Sequence, residues 1–209
     1  GGFFMKTMEK AFVLAFLVTV LLSFTGLAGA SEDIPNHILR LHVLANSDTS
    51  EDQELKLAVR DRILAESEGI FFGVHTKEEA EDAVTEHIER LEATAHDEIQ
   101  KHGYSYPVEI RLENTYFPTR QYGEITLPAG RYDALRVKIG KAEGHNWWCV
   151  MFPSLCVPAA GDGTELEDVL SASQMDLVEG GYEIKFKTVE LYEQVKEWIA
   201  GHFYSTPDK

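Results

Sequence analysis

The sequence predicts an α+β fold, a single domain whose mainly antiparallel sheet is covered by helices, and three observations predict it. The segment "HILRLHVLANSD" at 37–48 has the period of a strand and leads into two long stretches of helical period. Beyond Gly103 the apolar spacing changes from helical to alternating. The alternating segments then follow one another across short turns, an order that argues antiparallel pairing over repeated strand-helix-strand units.

In the first segment Leu39, Leu41 and Val43 fall on one side and Arg40 and His42 on the other, as in a half-buried strand. Asn46, Ser47 and Asp48 end it. Thr49 or Ser50 then caps a helix whose first turn carries Glu51 and Asp52, acids that complement the positive helix end. Leu55, Val59 and Ile63 give that helix one apolar stripe.

A second helix opens on Thr76 and Glu79, a capping-box pair, and places Ala80, Val84, Ile88, Leu91, Ala95 and Ile99 on one face before stopping at Gly103. Its other face holds Glu78, Glu79, Glu81, Asp82, Glu86, Glu89 and Glu92. A solvated helix face is the ordinary reading of such a run, and an acidic docking surface is the alternative.

"YPVEIRLE" alternates Val108, Ile110 and Leu112, and "RYDALRVKIG" alternates Tyr132, Ala134 or Leu135, Val137 and Ile139. "LPAG" between them supplies turn chemistry through Pro128 and Gly130. "NWWCVMF" is the next strand after a turn at 140–144. Residues 157–181, rich in Gly, Asp and Ser, read as a long loop with a short helix around Leu166 to Leu170. "YEIKFK" is a final strand, and Val189, Tyr192, Val195 and Ile199 put one face of a last helix on the core.

The compartment follows from the first thirty residues. Lys6 and Lys10 precede the uncharged apolar run "AFVLAFLVTVLL", and Ala28-Gly29-Ala30 has the small residues of a cleavage site. Residues 1–30 are therefore a signal peptide, with cleavage leaving Ser31 first, or an N-terminal anchor, since positions 11–30 carry no charge and about twenty apolar residues suffice to span a bilayer. Gly1 to Phe4 precede the first methionine, Met5, and are set aside. Residues 31–209 form one extracytoplasmic domain.

The whole chain has 19 Lys+Arg against 35 Asp+Glu, a net charge of −16; setting aside Lys6, Lys10 and Glu9 leaves 17 against 34, or −17. Such a surface repels nucleic-acid phosphates and anionic headgroups, which disfavours a nucleic-acid or peripheral-membrane role.

Cys149 and Cys156 are the only cysteines, and a pair in an exported chain reads first as a disulfide. Seven extended residues reach about 23 Å while bridged Cα atoms lie within about 7 Å, so the chain folds back, with Pro153 and Ser154 as the reversal. The rival is a secreted cysteine-dependent hydrolase with Cys149 as nucleophile and His145 as base. No Cys-His-Asn signature accompanies it, and the surrounding acid charge disfavours a thiolate. The eight histidines show no metal-ligand spacing, and no G-x-S-x-G, P-loop or dinucleotide fingerprint is present. The sequence therefore assigns no catalytic residue, metal, cofactor or small-molecule substrate.

What stands out is aromatic. Tyr116, Phe117, Tyr122, Trp147, Trp148 and Phe152 are interleaved with Pro118, Arg120, Arg131 and Arg136. Adjacent on a strand, Trp147 and Trp148 point to opposite faces, so one is core while the other is free to meet a partner.

"LHVLANSD" at 41–48, "QELKLAVRD" at 53–61, "YFPTRQYG" at 116–123, "LPAGRYDALRVKIG" at 127–140 and "NWWCVMFPSLC" at 146–156 together resemble the stage II sporulation protein R family, from about Leu39 to Cys156. The resemblance implies a signalling protein of endospore-forming bacteria with no catalytic residues. Members of that family are made in the forespore and exported across its membrane into the intermembrane space. There they trigger a membrane-embedded aspartic protease of the mother cell, which then cleaves the precursor of the mother cell's early sigma factor. That protease is the expected partner, and Tyr116, Phe117, Arg120, Asn146, Trp147 and Trp148 are the expected contact residues.

Overall fold

At the centre of the computed structural model, which describes residues 12, 14, 15, 32–122, 125–153, 166, 169–179, 193 and 194, lies a strand buried along its whole length: β1, Leu39–Leu44. Its neighbours explain that burial. In the four-stranded sheet, β2 (Val108–Phe117) borders β5 (Gly130–Ile139), β5 borders β1, and β1 borders β6 (Asn146–Phe152). The β2–β5 and β1–β6 pairs are antiparallel and the β1–β5 pair is parallel. A hairpin of β3 (Arg120–Tyr122) and β4 (Ile125–Leu127) makes a second, two-stranded sheet that the sequence pattern did not single out. The fold is the mainly antiparallel α+β domain expected from the sequence.

Three helices cover one face of the large sheet. α1 (Ser50–Ile70) starts where the Thr49 hydroxyl accepts from the Asp52 amide, and it buries Leu55, Val59 and Ile63 against Leu39, Leu41 and Val43. Each such aliphatic side chain contributes roughly 1.5–3 kcal/mol when fully removed from water. α2 (Lys77–Glu86) opens with the expected capping box: Thr76 Oγ1 accepts from Glu79 N at 3.2 Å, and Glu79 Oε2 accepts from His75 N at 2.8 Å.

One helix was expected over 76–101, but α2 ends at Glu86 and α3 (Ile88–Lys101) follows it. His87 makes the break. Its ring Nδ1 takes the Ala83 carbonyl at 2.8 Å, the acceptor an α-helix reserves for the His87 amide, and that amide turns to the Val84 carbonyl at 3.1 Å. The apolar stripe survives the break, with Ala80, Val84, Leu91, Ala95 and Ile99 buried and Ile88 partly so. α3 stops at Gly103 as expected: Tyr104 N bonds Ile99 O, Gly103 N bonds Gln100 O, and Gly103 has φ +83°. Of the acidic face, Glu92 turns inward to accept from the Ile110 amide of β2 at 2.9 Å.

The other face of the sheet carries a second apolar cluster, built from Ile34, Ile38, Phe117, Ile125, Leu127, Tyr132, Ala134, Val150, Leu166, Leu170 and residues of α4 (Ala172–Glu179). A short helix was expected around 166–170. The regular helix instead lies at Ala172–Glu179, with Leu166 also helical and its carbonyl taking the Val169 and Leu170 amides. Of the expected last strand and helix, only Glu193 and Gln194 are described, both helical. The leader likewise lies outside the described residues except for Phe12, Leu14 and Ala15, also helical. Among the described residues, no helix is long and apolar enough to cross a membrane.

This second layer overturns the half-buried reading of β1. Arg40 is fully buried and His42 is 8% exposed. Strands on both sides, with side chains stacked above and below, leave β1 no solvent face. The Arg40 guanidinium lies 4.1 Å from the Phe117 ring centroid and 4.9 Å from that of Tyr132, while Nη2 donates to the Tyr122 hydroxyl. Aromatic faces thus replace water around this cation.

Candidate functional site

The start of β6 is held by side chains from the beginning of the chain. Asp52 accepts from Ser47 Oγ at 2.5 Å and Asn46 Nδ2 at 2.8 Å, while Asn46 Oδ1 accepts from the Lys141 amide at 3.0 Å. Burial pushes the Asp52 carboxyl up, but donation by Ser47, Asn46 and Tyr106 outweighs it and holds the group below the usual carboxylate range. Backbone pairs Gly144 N to Ala45 O and Glu143 N to Asn46 O close the loop after β1 onto the turn before β6. The approach is so close that a Cβ on Gly144 would strike the Ser47 carbonyl.

α1 adds a second set of supports. Gln53 Nε2 donates to the Ser47 carbonyl at 2.9 Å, Lys56 Nζ donates to Gln53 Oε1 at 2.6 Å and to the His145 carbonyl at 3.0 Å, and the Arg60 guanidinium lies 4.2 Å from the Trp147 ring centroid. Lys56 is buried, and burial followed by the nearby Arg60 charge lowers its pKa. Gln53, Lys56 and Arg60 recur at helical spacing, so one helix face supplies all three contacts.

Trp147 and Trp148 point to opposite sides of the sheet. Trp147 packs against the helix-covered core beneath Arg60, and Trp148 packs against the second cluster, with Arg120 4.1 Å above its ring. Neither is fully core and neither is exposed: each is half-buried and roofed by an arginine. His42 lies beside Trp148 and Phe117 at centroid distances of 5.7 and 5.8 Å. Burial, with Arg136 and Arg40 adding to it, lowers the His42 pKa to about 4 against the pull of Asn146 and Glu113. Neither ring nitrogen has a partner of hydrogen-bond geometry.

The structure thus brings Arg120, Asn146, Trp147 and Trp148 to one end of the sheet. Arg120 and Asn146 are exposed. Tyr116 is half-buried further along β2, opposite Arg131 of β5. Phe117 is 1% exposed and serves as an interior platform for Arg40. Lys56 and Arg60 also belong to this end of the sheet but were not singled out as site residues; the helical spacing of Gln53, Lys56 and Arg60 within "QELKLAVRD" was the available signal.

Cys149 is 4% exposed, inside the apolar cluster beneath the helices, whereas His145 is exposed and bound to Asp48 Oδ1 through both its amide (2.6 Å) and its ring Nδ1 (2.5 Å). That placement gives Cys149 neither solvent access nor a free base, so it lends nothing to the hydrolase alternative. Among the described residues no cysteine is free. Cys156, the expected partner, lies outside them. No group of three metal-capable side chains occurs among the described residues.

Arginine-roofed tryptophans on a braced sheet end have the composition of a protein-binding surface. The chain belongs to the stage II sporulation protein R family, whose sequence model matches residues 35–161. It is similar to the stage II sporulation protein R of Bacillus subtilis (strain 168), being 30% identical over 172 residues that cover 77% of each chain. No solved structure matches it.

Proposed function

We propose that this protein is an exported forespore signal, delivered across the forespore membrane into the intermembrane space, which activates a membrane-embedded receptor aspartic protease of the mother cell. The protease then processes the precursor of the mother-cell sigma factor. The protein acts as a ligand and not as an enzyme. Such a ligand works by binding the active state of its receptor more tightly than the resting state.

Beyond family membership, one observation carries the reading: residues from the quoted motifs, together with Asp52 just before the second of them, converge on holding the β6 tryptophans in place. Asn46, Asp52, Gln53 and Lys56 brace the turn, and Arg60 and Arg120 roof the two rings. A binding surface ordered before encounter loses less side-chain freedom on association. A Cys149–Cys156 bridge would tie the middle of the same strand to the segment that follows it.

The test is co-expression with the receptor protease and the sigma-factor precursor in a non-sporulating cell. Processing that depends on the exported chain supports the reading. Folded, exported chain without processing overturns it.

A further inference from the structure

The strand registers place four side chains in one row across the whole sheet: Arg111 opposite Arg136, Arg136 beside His42, and His42 opposite Trp148. Neighbouring strands lie about 4.8 Å apart, so the row spans about 14 Å. It lies on the side away from α1, α2 and α3, with buried His42 and half-buried Trp148 at the margin of the second apolar cluster and Arg136 and Arg111 beyond it. Arg111 is exposed, Arg136 and Trp148 are half-buried, and the exposed Arg120 covers the Trp148 ring. Lys138 is adjacent, and Glu109 and Glu113 separate the cations.

Two features of this row are only partly compensated in the isolated protein, where Glu109 pairs with Arg111 and Glu113 with Arg136. Two arginines directly opposite one another on paired strands repel. Trp148 Nε1 and Arg136 Nε, both donors, have no acceptor. An incoming chain rich in carboxylates relieves the repulsion, and the exposed Arg111 and Arg120 are the cations it meets first.

The charge distribution identifies that chain's character. The three helices hold fifteen acidic residues against six basic ones, while this part of the sheet holds Arg111, Arg120, Arg136 and Lys138 against Glu109 and Glu113. In a protein of net charge −16 this part of the sheet is locally net positive, four cations against two acids, while the helices are strongly net negative, which turns this face toward an acidic partner and the helices away from it. We propose that exposed Arg111 and Arg120, with the half-buried Arg136 and Trp148 between them and His42 buried beneath, form the docking surface for an extended acidic segment of the receptor. The proposal rests on the ligand reading above and adds the face and the partner chemistry.

The test uses the purified exported protein, a synthetic extended Glu-Ser repeat peptide, and the doubly reversed variant Arg111→Glu/Arg120→Glu. Both positions are exposed, so the fold is retained, which thermal unfolding checks. The peptide should bind wild type in a salt-sensitive way, bind the double variant at least about tenfold more weakly, and bind Lys101→Glu, altered in the helix layer, as it binds wild type. A Lys-Ser repeat peptide should not bind. In the co-expression assay the double variant should lose processing and Lys101→Glu should keep it.

No binding of the Glu-Ser peptide to wild type, or equal binding to the double variant, overturns the proposal. So does normal processing by the double variant, in which case the signalling reading stands. If wild type itself gives no processing, the signalling reading has failed and the peptide titration alone decides the docking surface. Self-association of wild type that the double variant abolishes would assign the face to a second copy, overturning the proposal.

Discussion

The Lys56 ammonium donates to the main-chain carbonyl of His145, 3.0 Å away across 89 positions of the chain. A buried lysine held by a backbone oxygen and the Gln53 side-chain amide acts as a clamp on main-chain position. It fixes where β6 begins, and therefore where Trp147 and Trp148 emerge.

Lys56→Met keeps the stem of the side chain but strands the His145 and Gln53 acceptors. The expected loss is about 1–3 kcal/mol. Denaturant unfolding measures it, and the near-ultraviolet dichroism of the tryptophans should weaken at the same time. An unchanged tryptophan signal together with unchanged stability contradicts the clamp.

Gly144→Ala forces a methyl group against the Ser47 carbonyl, a backbone atom that cannot swing aside. Overpacking of this kind costs roughly 1–3 kcal/mol. Ala142→Gly, in the same turn at a φ of 55°, should instead be neutral or stabilising, since alanine there is strained. Thermal melts of the two variants should therefore shift in opposite directions or differ clearly in size.

His42 sets a pH dependence whose sign is determined. Its folded pKa, about 4, lies below the ordinary 6.5, so the unfolded chain takes up the proton first. The stabilisation is fully present above pH 6.5 and is lost as the pH falls toward 4. Between pH 6.5 and pH 4.5 that is about 2–3 kcal/mol from this group. Carboxylates held low by their partners lose stability in acid as well, so the informative quantity is a difference. Wild type should lose more than His42→Gln over that interval, and equal losses would show that His42 is not the group responsible.

The two tryptophans should separate stability from signalling. Trp147→Ala removes a ring packed between Arg60 and the helix-side core and should act mainly on unfolding. Trp148→Ala should fold, with each variant costing less than the about 3–5 kcal/mol of a fully buried aromatic, but should lower receptor affinity by at least about 2 kcal/mol. Secretion, melting and precursor processing of both variants make the comparison. Loss of processing confined to Trp147→Ala would place the interface on the helix side.

Cys149 and Cys156 should resist alkylation unless the protein is first reduced, and mass spectrometry should find one intramolecular link. In the chain-entropy picture so short a loop contributes roughly 2–3 kcal/mol. Labelling of both thiols in the native exported protein would remove the bridge from the account.

Most elements were legible where local chemistry and burial agree. The Thr49 and Thr76 caps, the Gly103 stop and the alternation of β2, β5 and β6 all follow from short-range rules that the packing does not contradict. Legibility failed where a distant segment changed the environment. Arg40 and His42 look solvent-facing until residues of the second cluster are laid over them, and nothing near position 40 announces that layer. His87 reads as an ordinary helix residue because its ring-to-backbone competition depends on a rotamer. Within the site, the aromatics were visible as composition, but the row that gathers Arg111, Arg136, His42 and Trp148 exists only once the strands are ordered β2, β5, β1, β6.

β1 also has a temporal meaning. It is the earliest strand in the chain and lies between the two latest of the large sheet, paired with β5 on one side and β6 on the other. A chain delivered N-terminus first, from a ribosome or through a translocon, therefore presents a strand that ends buried along its whole length long before either partner arrives. Assembly of the sheet waits on closure of a very long loop, which makes folding slow and leaves β1 open to wrong pairings meanwhile. Truncation anywhere before β6 should yield an aggregating fragment, and folding and signalling competence should be gained together, late and all at once.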